Sequence, residues 1–468
     1  MIRLKTGIGL FLLAAALACG CSGTPASGPA RDFRISTFSA DITPPVGHPL
    51  CGGMVAPAAR IADPLSARGL ILRGAGEPLV IAALDWTEIR NEAYDRWRSA
   101  LAEAAGTSPA RVILSCVHQH DAPYADLEAQ RLLDAHGLKG LHVDPEFHER
   151  SVQAVASAVR QAAGTPRRIT HLGTGQARVE RVASNRRVVL ADGRPSFKRY
   201  SRTGDPAVRD AEEGLIDPWL KTLSFWEGDR PVAALSAYAV HPMSTYGRGA
   251  VSADFPGLAR SRRQGETPDV FQIYVTGCCG DTTAGKYNIG ANAREELAGR
   301  LHAAMGQAWE RTRRVPLEKI EVRSADLRFD LPASGPFSVA EMERVLPDGK
   351  ASKSGRLMAA LGLSWARRVA RGRPIDVQAV DFGPAQMVLL PAESFVEFQL
   401  VAPRLRPDRF IVAAAFGECA PGYIPTESAR AEGYVEEHGY SWVAAGAEEK
   451  LRRAIAAALA APGPGDGR

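Results

Sequence analysis

The chain has 468 residues, of which 45% are hydrophobic and 23% charged, and its formal net charge is +5. This composition is that of an ordinary globular protein, which excludes disorder, a collagen-like chain or a coiled coil as a description of the whole sequence. The charge is weakly positive and the arginines are scattered, so we expect no nucleic-acid partner. Beyond the N-terminal segment, no apolar run reaches the roughly 18 residues that a membrane-spanning helix needs.

The N-terminal residues predict an export signal. Two basic residues precede an apolar run over residues 7–18, which is short for a membrane span but typical of a signal peptide. The run ends at Cys19 and Cys21, and a small residue before each resembles the bacterial lipoprotein box, so we expect acylation of one of them. Secretion without a lipid is the alternative. We therefore divide the chain into a signal segment (1–21), a flexible tether (22–34), one domain (35–461) and a disordered tail (462–468).

Short apolar runs alternate with helical patterns along the rest of the chain, which is typical of an α/β protein. We expect one large domain in which mixed sheets are flanked by helices. The alternation over Leu317–Asp330 predicts one further, half-exposed strand. The predicted strands are Gly69–Arg73, Leu79–Leu84, Val112–Cys116, Val232–Val240, Phe271–Val275, Met387–Leu390 and Phe410–Ala415. The predicted helices are Asn91–Ala104, Pro145–Ala163, Asn292–Arg313, Gly355–Ala370 and Glu448–Leu459.

The cysteines after the signal segment match no zinc-finger or disulfide framework. We interpret them mainly as small buried thiols, although an exported protein leaves a long-range disulfide such as Cys51–Cys419 open. The five are Cys51, Cys116, Cys278, Cys279 and Cys419.

Polar side chains follow the predicted strands at the point where each strand ends. In open α/β sheets, ligands bind beyond the carboxyl ends of the strands, so these residues form a hypothesis for the site. In chain order they are His118 with His120, His241, the turn Gly280-Asp281-Thr282-Thr283, Glu393, and Gly422-Tyr423.

The spacing of His118 and His120 places both imidazoles on one face of an extended segment, about 7 Å apart. Such a pair either shares a metal or divides the work between ligation and proton transfer; a pair of surface histidines is the alternative. Together with His241 and Glu393 they fit zinc, which takes nitrogen and oxygen ligands in a tetrahedral site. The other seven histidines are assigned structural roles. The Gly280–Thr283 turn is either a phosphate cradle without a Walker pattern or a tight turn, and the missing GxSxG motif disfavours a serine α/β-hydrolase.

Several short motifs stand in one collinear order between about residues 36 and 461. They are Ala40-Asp41-Ile42-Thr43-Pro44-Pro45 with Gly52-Gly53-Met54, Asp63-Pro64-Leu65, Val117-His118-Gln119-His120-Asp121-Ala122-Pro123, Asn185-Arg186, Ala239-Val240-His241-Pro242 with Ser252-Ala253-Asp254-Phe255-Pro256-Gly257, Gly280-Asp281-Thr282-Thr283-Ala284, Pro391-Ala392-Glu393, and Gly422-Tyr423-Ile424-Pro425-Thr426. In these motifs the chain resembles the catalytic domain of the neutral/alkaline, non-lysosomal ceramidase family. The sequence after Tyr434 predicts only a helix, so we expect no counterpart of that family's C-terminal β-sandwich domain.

The resemblance implies roles for individual residues. It implies that His118, His241, Glu393 and Tyr423 bind Zn²⁺ and that His120 handles protons near the scissile bond. Arg186 is expected to face the substrate headgroup, and Tyr434 corresponds to a second tyrosine of the family at a spacing one residue shorter.

The sequence also departs from the family's pattern. Thr283, or Thr282 if the alignment slips by one residue, stands where the family has its active-site serine. Gln119 and Asp121 also replace family residues, so the hydrogen bonds around the site are expected to differ.

These implications predict a zinc-dependent amidohydrolase that cleaves an N-acyl bond of a small-molecule or lipid substrate. Four alternatives stay open: a hydrolase of an ester or of a non-sphingoid N-acyl compound, a phosphate-binding turn, a structural site without zinc, and a non-catalytic exported binding lipoprotein. We expect the protein in the cell envelope or secreted, with membrane association through an N-terminal lipid anchor.

Overall fold

The computed structural model describes residues 32–74, 76–438 and 440–460. The predicted signal segment with Cys19 and Cys21, most of the tether and the tail 462–468 lie outside the described residues. Within those residues, no helix is both long and apolar enough to cross a membrane.

The described residues form a mixed α/β fold, as the sequence predicts. The strands are β1 (Arg34–Asp41), β2 (Arg60–Ile61), β3 (Ser66–Arg73), β4 (Leu79–Leu84), β5 (Glu88–Ile89), β6 (Val112–Cys116), β7 (Tyr124–Ala125), β8 (Arg167–Arg168), β9 (His171–Arg178), β10 (Ser184–Asn185), β11 (Val188–Val189), β12 (Pro195–Ser196), β13 (Trp219–Glu227), β14 (Arg230–Tyr238), β15 (Ala250–Val251), β16 (Phe271–Thr276), β17 (Thr282–Thr283), β18 (Arg313–Pro316), β19 (Glu321–Leu327), β20 (Ile375–Asp381), β21 (Ala385–Leu389), β22 (Glu393–Ser394), β23 (Phe410–Ala414) and β24 (Tyr423–Ile424). The helices are α1 (Asn91–Ala105), α2 (Leu127–Ala135), α3 (Pro145–Ala163), α4 (Pro206–Arg209), α5 (Asp254–Glu266), α6 (Ala293–Glu310), α7 (Val339–Val345), α8 (Lys353–Ala370), α9 (Val396–Leu405), α10 (Glu427–Ala431), α11 (Tyr434–His438) and α12 (Ala447–Ala458).

Three larger sheets carry the fold. Their strand orders are β6-β4-β3-β1-β8, β16-β14-β13-β9-β18 and β19-β20-β21-β23. In each sheet the neighbouring strands are antiparallel except for one terminal pair, which is parallel: β4 with β6, β14 with β16, and β21 with β23. A helix lies between the two strands of each parallel pair in the chain: α1, α5 and α9. The described part of the chain therefore contains three βαβ units, one at an end of each of these sheets.

The last strands of the three units meet one another. The amide of Cys116 donates to the carbonyl of Phe416 over 3.0 Å, and the amide of Ala415 donates to Thr276 over 2.8 Å. The Thr276 hydroxyl in turn donates to the carbonyl of Val117 over 2.7 Å. Because β6, β16 and β23 are held together where they end, the loops that follow them converge on one place.

Strands β4 and β6 are continuous apolar runs in the sequence because both faces of each strand are buried. All six residues of β4 and all five of β6 are buried, as expected for strands covered by layers on both sides. Trp86, just after β4, packs edge-on against Trp97 of α1 at 5.5 Å, and both are fully buried. The loop that leaves β4 is thereby anchored in the core before it reaches the convergence point.

All five described cysteines are buried and free. The interpretation as buried thiols is therefore confirmed, and the Cys51–Cys419 disulfide is not formed.

Candidate active site

His118 and His241 face each other at the centre of the converging loops. Their Nε2 atoms are 3.1 Å apart. A carboxylate oxygen of Glu393 lies 3.5 Å from Nε2 of His118 and 3.2 Å from Nε2 of His241. All three side chains are buried, so the cluster is shielded from solvent.

The other nitrogen of each imidazole fixes its tautomer. Nδ1 of His118 lies 2.9 Å from the carbonyl oxygen of Thr87, and Nδ1 of His241 lies 2.6 Å from that of Cys279. Because a carbonyl oxygen can only accept, Nδ1 carries the proton in both rings and Nε2 presents a lone pair. Two imidazole lone pairs and a carboxylate oxygen thus point at one another, an arrangement that a cation between them stabilises.

The spacing of these atoms fits zinc. Tetrahedral ligands at 2.0–2.1 Å from Zn²⁺ are about 3.3 Å apart, and the three distances here run from 3.1 to 3.5 Å. Backbone carbonyls that hold the second nitrogen of each histidine are the usual outer partners of zinc ligands. The residues present therefore suit a zinc ion in donor type, spacing and outer support.

Protonation states agree with a site built for a cation. Burial lowers the pKa of His241 to about 3, which keeps the imidazole neutral. The Tyr440 hydroxyl donates to the second oxygen of Glu393 over 3.1 Å, so the carboxylate keeps one oxygen for the two histidines.

His118 adopts a backbone conformation that side chains rarely accept. Its φ is +74°, which costs on the order of 1–3 kcal/mol in a residue other than glycine. Its ring stacks on Phe416 with centroids 4.0 Å apart, and its amide donates to Trp86 over 2.9 Å. The surroundings hold the strained residue in place and aim its imidazole at His241.

His120 lies beside the cluster, but no backbone carbonyl of the described chain holds its Nδ1 as one does in His118 and His241. Its ring centroid is 4.7 Å from that of His118 and 5.5 Å from that of His241. Within the described residues its Nδ1 has no hydrogen-bond partner. His120 can therefore join the ligand group or move protons. At its outer side lies the exposed Tyr246, with ring centroids 6.1 Å apart.

Tyr423 and Arg186 also lie next to the cluster, and the ring of Tyr423 is nearly parallel to that of His241 with centroids 6.5 Å apart. Tyr423 pairs with Glu393 in the short parallel contact of β22 and β24. A guanidinium nitrogen of Arg186 donates to the Tyr423 hydroxyl over 2.8 Å. Burial raises the pKa of Tyr423 well above its usual value, and Arg186 acts against that increase. The predicted Tyr434 is buried next to them, its ring centroid 5.8 Å from that of Tyr423.

The two candidate threonines have different surroundings. Thr283 is fully buried, and its hydroxyl has no hydrogen-bond partner among the described residues. The Thr282 hydroxyl lies 3.4 Å from the carbonyl of Ala239, to which it donates. Thr283 also bridges His241 in a parallel β-contact. Thr283 is therefore the threonine whose hydroxyl remains available to a ligand.

A glycine makes the close approach of these loops possible. A Cβ at Gly280 would lie 2.2 Å from the carbonyl oxygen of Glu393. The Gly280 amide donates to Ser394 over 3.0 Å, which ties the turn to the segment that carries Glu393. This turn joins two parts of the site rather than standing alone as a phosphate cradle.

The two replaced residues of the His118 motif serve the scaffold. Gln119 donates to the buried Asp85 over 3.2 Å. Asp121 accepts from the amide of Gly247 over 2.8 Å, and burial raises its pKa to about 6. Asp121 thus holds the loop that carries Tyr246 beside His120.

Sequence reasoning missed four residues around the site. Glu88 and Arg90 form a buried ion pair whose nearest atoms are 2.6 Å apart, and Arg90 lies over the ring of Tyr124 at 4.8 Å. Tyr440 is the fourth. A signal existed for Glu88, because it follows the predicted strand Leu79–Leu84, and the site hypothesis used no residue after that strand. Tyr440 follows no strand, and nothing local marks it.

Solved structures of neutral ceramidases have the same fold. No family model matches the chain, and no curated protein matches it either. The crystal structure of neutral ceramidase from Pseudomonas aeruginosa aligns with a TM-score of 0.65 at 17% identity, covering 92% of this chain and 75% of that one. A ceramidase complexed with C2 aligns with a TM-score of 0.66 at 16% identity and the same coverage. The resemblance inferred from the motifs is thereby confirmed at the level of the fold.

Proposed function

We propose that this protein is a zinc-dependent hydrolase of the ceramidase type that cleaves an N-acyl (amide) bond. The observation that carries the proposal is the convergence of two Nε2 lone pairs and a carboxylate oxygen within 3.1–3.5 Å. Glu393 and the two anchored histidines would hold the ion, with Tyr423 as the fourth ligand. When bound, zinc polarises a carbonyl and lowers the pKa of a coordinated water to about 7.

The remaining side chains supply proton transfer and substrate positioning. His120 takes a proton at its unpartnered Nδ1 from the water that attacks the carbonyl carbon, and returns it to the leaving nitrogen. This is general acid–base catalysis, worth roughly 10²–10⁴-fold in rate. Thr283 donates its free hydroxyl to the carbonyl oxygen, on which negative charge develops. Arg186 holds Tyr423 through its hydrogen bond and neutralises charge on that phenol.

The ceramidase fold supports the proposed substrate class, and the burial of the site bears on how the substrate would enter. The two aligned structures are named as ceramidases, and ceramide is an N-acyl lipid, so an N-acyl lipid is the proposed substrate. Among the eight predicted site residues, the largest exposed fraction is 8%, at His120. The scissile bond would therefore reach the cluster from the side of His120 and Tyr246.

The test is hydrolysis of matched substrates by the zinc-loaded protein. Release of fatty acid from an N-acylsphingosine is compared with release from the corresponding ester and from a non-sphingoid N-acyl compound. The proposal predicts amide cleavage that chelation abolishes and zinc restores. Cleavage of the ester alone would replace the amidase assignment, and cleavage of none of the three by zinc-loaded protein would contradict the hydrolase assignment.

A further inference from the structure

The three βαβ units place residues at equivalent positions, relative to their two parallel strands, near the centre of the described fold. In each unit, a residue shortly after the first strand forms a parallel β-contact with a residue that follows the second strand. Two of these pairs belong to the site already described, and the third pair has no role in it. The three pairs are His241 with Thr283, Glu393 with Tyr423, and Glu88 with Tyr124.

The third pair brings a carboxylate close to Nδ1 of His118. Glu88 is 1% exposed, and its Oε1 lies 3.9 Å from Nδ1 of His118. Glu393 approaches the same imidazole at Nε2. Ligand atoms of Glu88, His118 and Glu393 lie within 4.8 Å of one another. Each ring nitrogen of His118 thus has a carboxylate oxygen near it, and the two carboxylates are themselves close together.

The charge of Glu88 is matched inside the protein. Nε of Arg90 donates to Glu88 Oε2 over 2.7 Å, and the guanidinium lies over the rings of Tyr124 and Trp442 at 4.8 and 5.1 Å. The short contacts of Arg90 are with Oε2, whereas Oε1 is the oxygen that approaches His118. Two fully buried charges of this kind are weak evidence for a gain in stability, and their placement against a metal ligand calls for another role.

We propose that Glu88 is a positioning residue for the metal centre. Its carboxylate, fixed by Arg90, stabilises the proton on Nδ1 of His118 and adds negative charge beside the ligands, so that Nε2 binds a dication more tightly. Outer partners of metal-bound histidines contribute 10–100-fold to metal affinity. The inference rests on the proposed function, because it assigns His118 as a metal ligand.

The test measures zinc affinity rather than turnover. A double variant, Glu88→Gln with Arg90→Gln, removes both charges together and leaves no unpaired buried ion. Competition with a chromophoric chelator gives the zinc dissociation constant, and thermal unfolding of the metal-free protein reports on the fold. We expect zinc binding 10–100-fold weaker with a metal-free unfolding midpoint close to that of the wild type. If the glutamine pair does not fold, Glu88→Met with Arg90→Leu tests the same prediction with an apolar pair.

A matched control removes a different partly buried ion pair. Arg98 and Asp376 are 2.8 Å apart and contact none of the proposed ligands, so Arg98→Gln with Asp376→Asn is expected to leave zinc affinity within threefold. Wild-type affinity in a folded Glu88 and Arg90 double variant would overturn the inference alone. A wild-type protein that binds no zinc would instead overturn the proposed function.

Discussion

The two histidines of the His118–His120 motif differ in what holds them. His118 has its Nδ1 against a carbonyl and a strained backbone conformation that aims Nε2 at His241. His120 has no hydrogen-bond partner at Nδ1 within the described chain and carries the larger exposure. Sequence spacing predicts that both lie near one site. It does not distinguish the two roles, because the difference comes from Thr87, which is distant in sequence from both.

His120→Ala separates the two possible roles of that residue. We expect the variant to keep its zinc, since all four proposed ligands remain, and to lose 10²–10⁴-fold in kcat with the general base removed. Metal analysis of the purified variant together with its kcat checks this. Loss of zinc from His120→Ala would instead make His120 a ligand.

The two neighbouring threonines provide a matched pair of variants. Thr283→Val removes a hydroxyl that is free to meet the substrate, and we expect a loss of 10²–10³-fold in kcat, as for an oxyanion-stabilising donor. Thr282→Val removes a hydroxyl that donates over 3.4 Å to a backbone carbonyl, so kcat should change by less than about threefold. Equal effects of the two substitutions would show that Thr283 is a turn residue only.

Among the elements, three with clear local patterns were predicted to the residue, and the others have bounds that differ by one or more residues. Strands β4 and β6 and helix α3 have the predicted bounds, because apolar runs and an Asp144 cap with Pro145 mark them. The sequence analysis did not predict strand β9, because Gly173 and Gly175 are residues typical of turns. The structure explains the glycines: a Cβ at Gly175 would lie 2.1 Å from the carbonyl of Ala308 in α6. The close packing of α6 against β9 requires a glycine at position 175. No local sequence pattern reveals that packing.

The loop before α3 contains a histidine whose neutrality supports the structure. The Nδ1–H of His142 donates to Gly52 over 3.0 Å, and its Nε2 accepts from the amide of Asp126, the N-cap of α2, over 3.0 Å. Burial lowers the pKa of His142 to about 4. Protonation of Nε2 would break the second bond, so the folded chain takes up this proton only well below neutrality.

The stability of the protein should therefore fall in acid. The unfolded chain protonates this imidazole near pH 6.5, while the folded chain does so near pH 4. Between these values the unfolded state binds more protons than the folded state. The free energy of unfolding therefore decreases as the pH falls, by up to about 3 kcal/mol from this residue. Denaturant unfolding at several pH values measures the slope. His142→Gln should flatten it in that window, and an unchanged slope would contradict the assignment.

At the scale of the whole molecule, the site exists because three βαβ units meet. The sequence predicts several strand ends with polar residues, and the rule that ligands bind beyond strand ends points to a common site. It does not predict that three separate sheets supply those ends, nor that Cys116, Thr276 and Ala415 tie them together through backbone bonds and a threonine hydroxyl. Such long-range contacts depend on packing rather than on local patterns. For the same reason Arg90 and Tyr440 were found only in the structure.

A metal held by all three units should stabilise the entire fold. His118, His241 and Glu393 come from different units, so a bound ion links them, and a ligand present at 100 times its Kd contributes about 2.7 kcal/mol. We expect chelation to lower Tm in the wild type but to leave Tm unchanged in His241→Ala, measured by calorimetry with and without chelator. A wild-type Tm that does not respond to removal of bound zinc would argue against a link between the units.

The most direct test of the account is the metal content of the purified protein beside that of His118→Ala. After metal-replete purification and removal of loosely bound ions, elemental analysis should find about one zinc per chain in the wild type. The folded variant should contain none, because His118 supplies the central ligand. A wild-type protein without zinc, or a variant that retains it, would contradict a metal centre built from His118, His241 and Glu393.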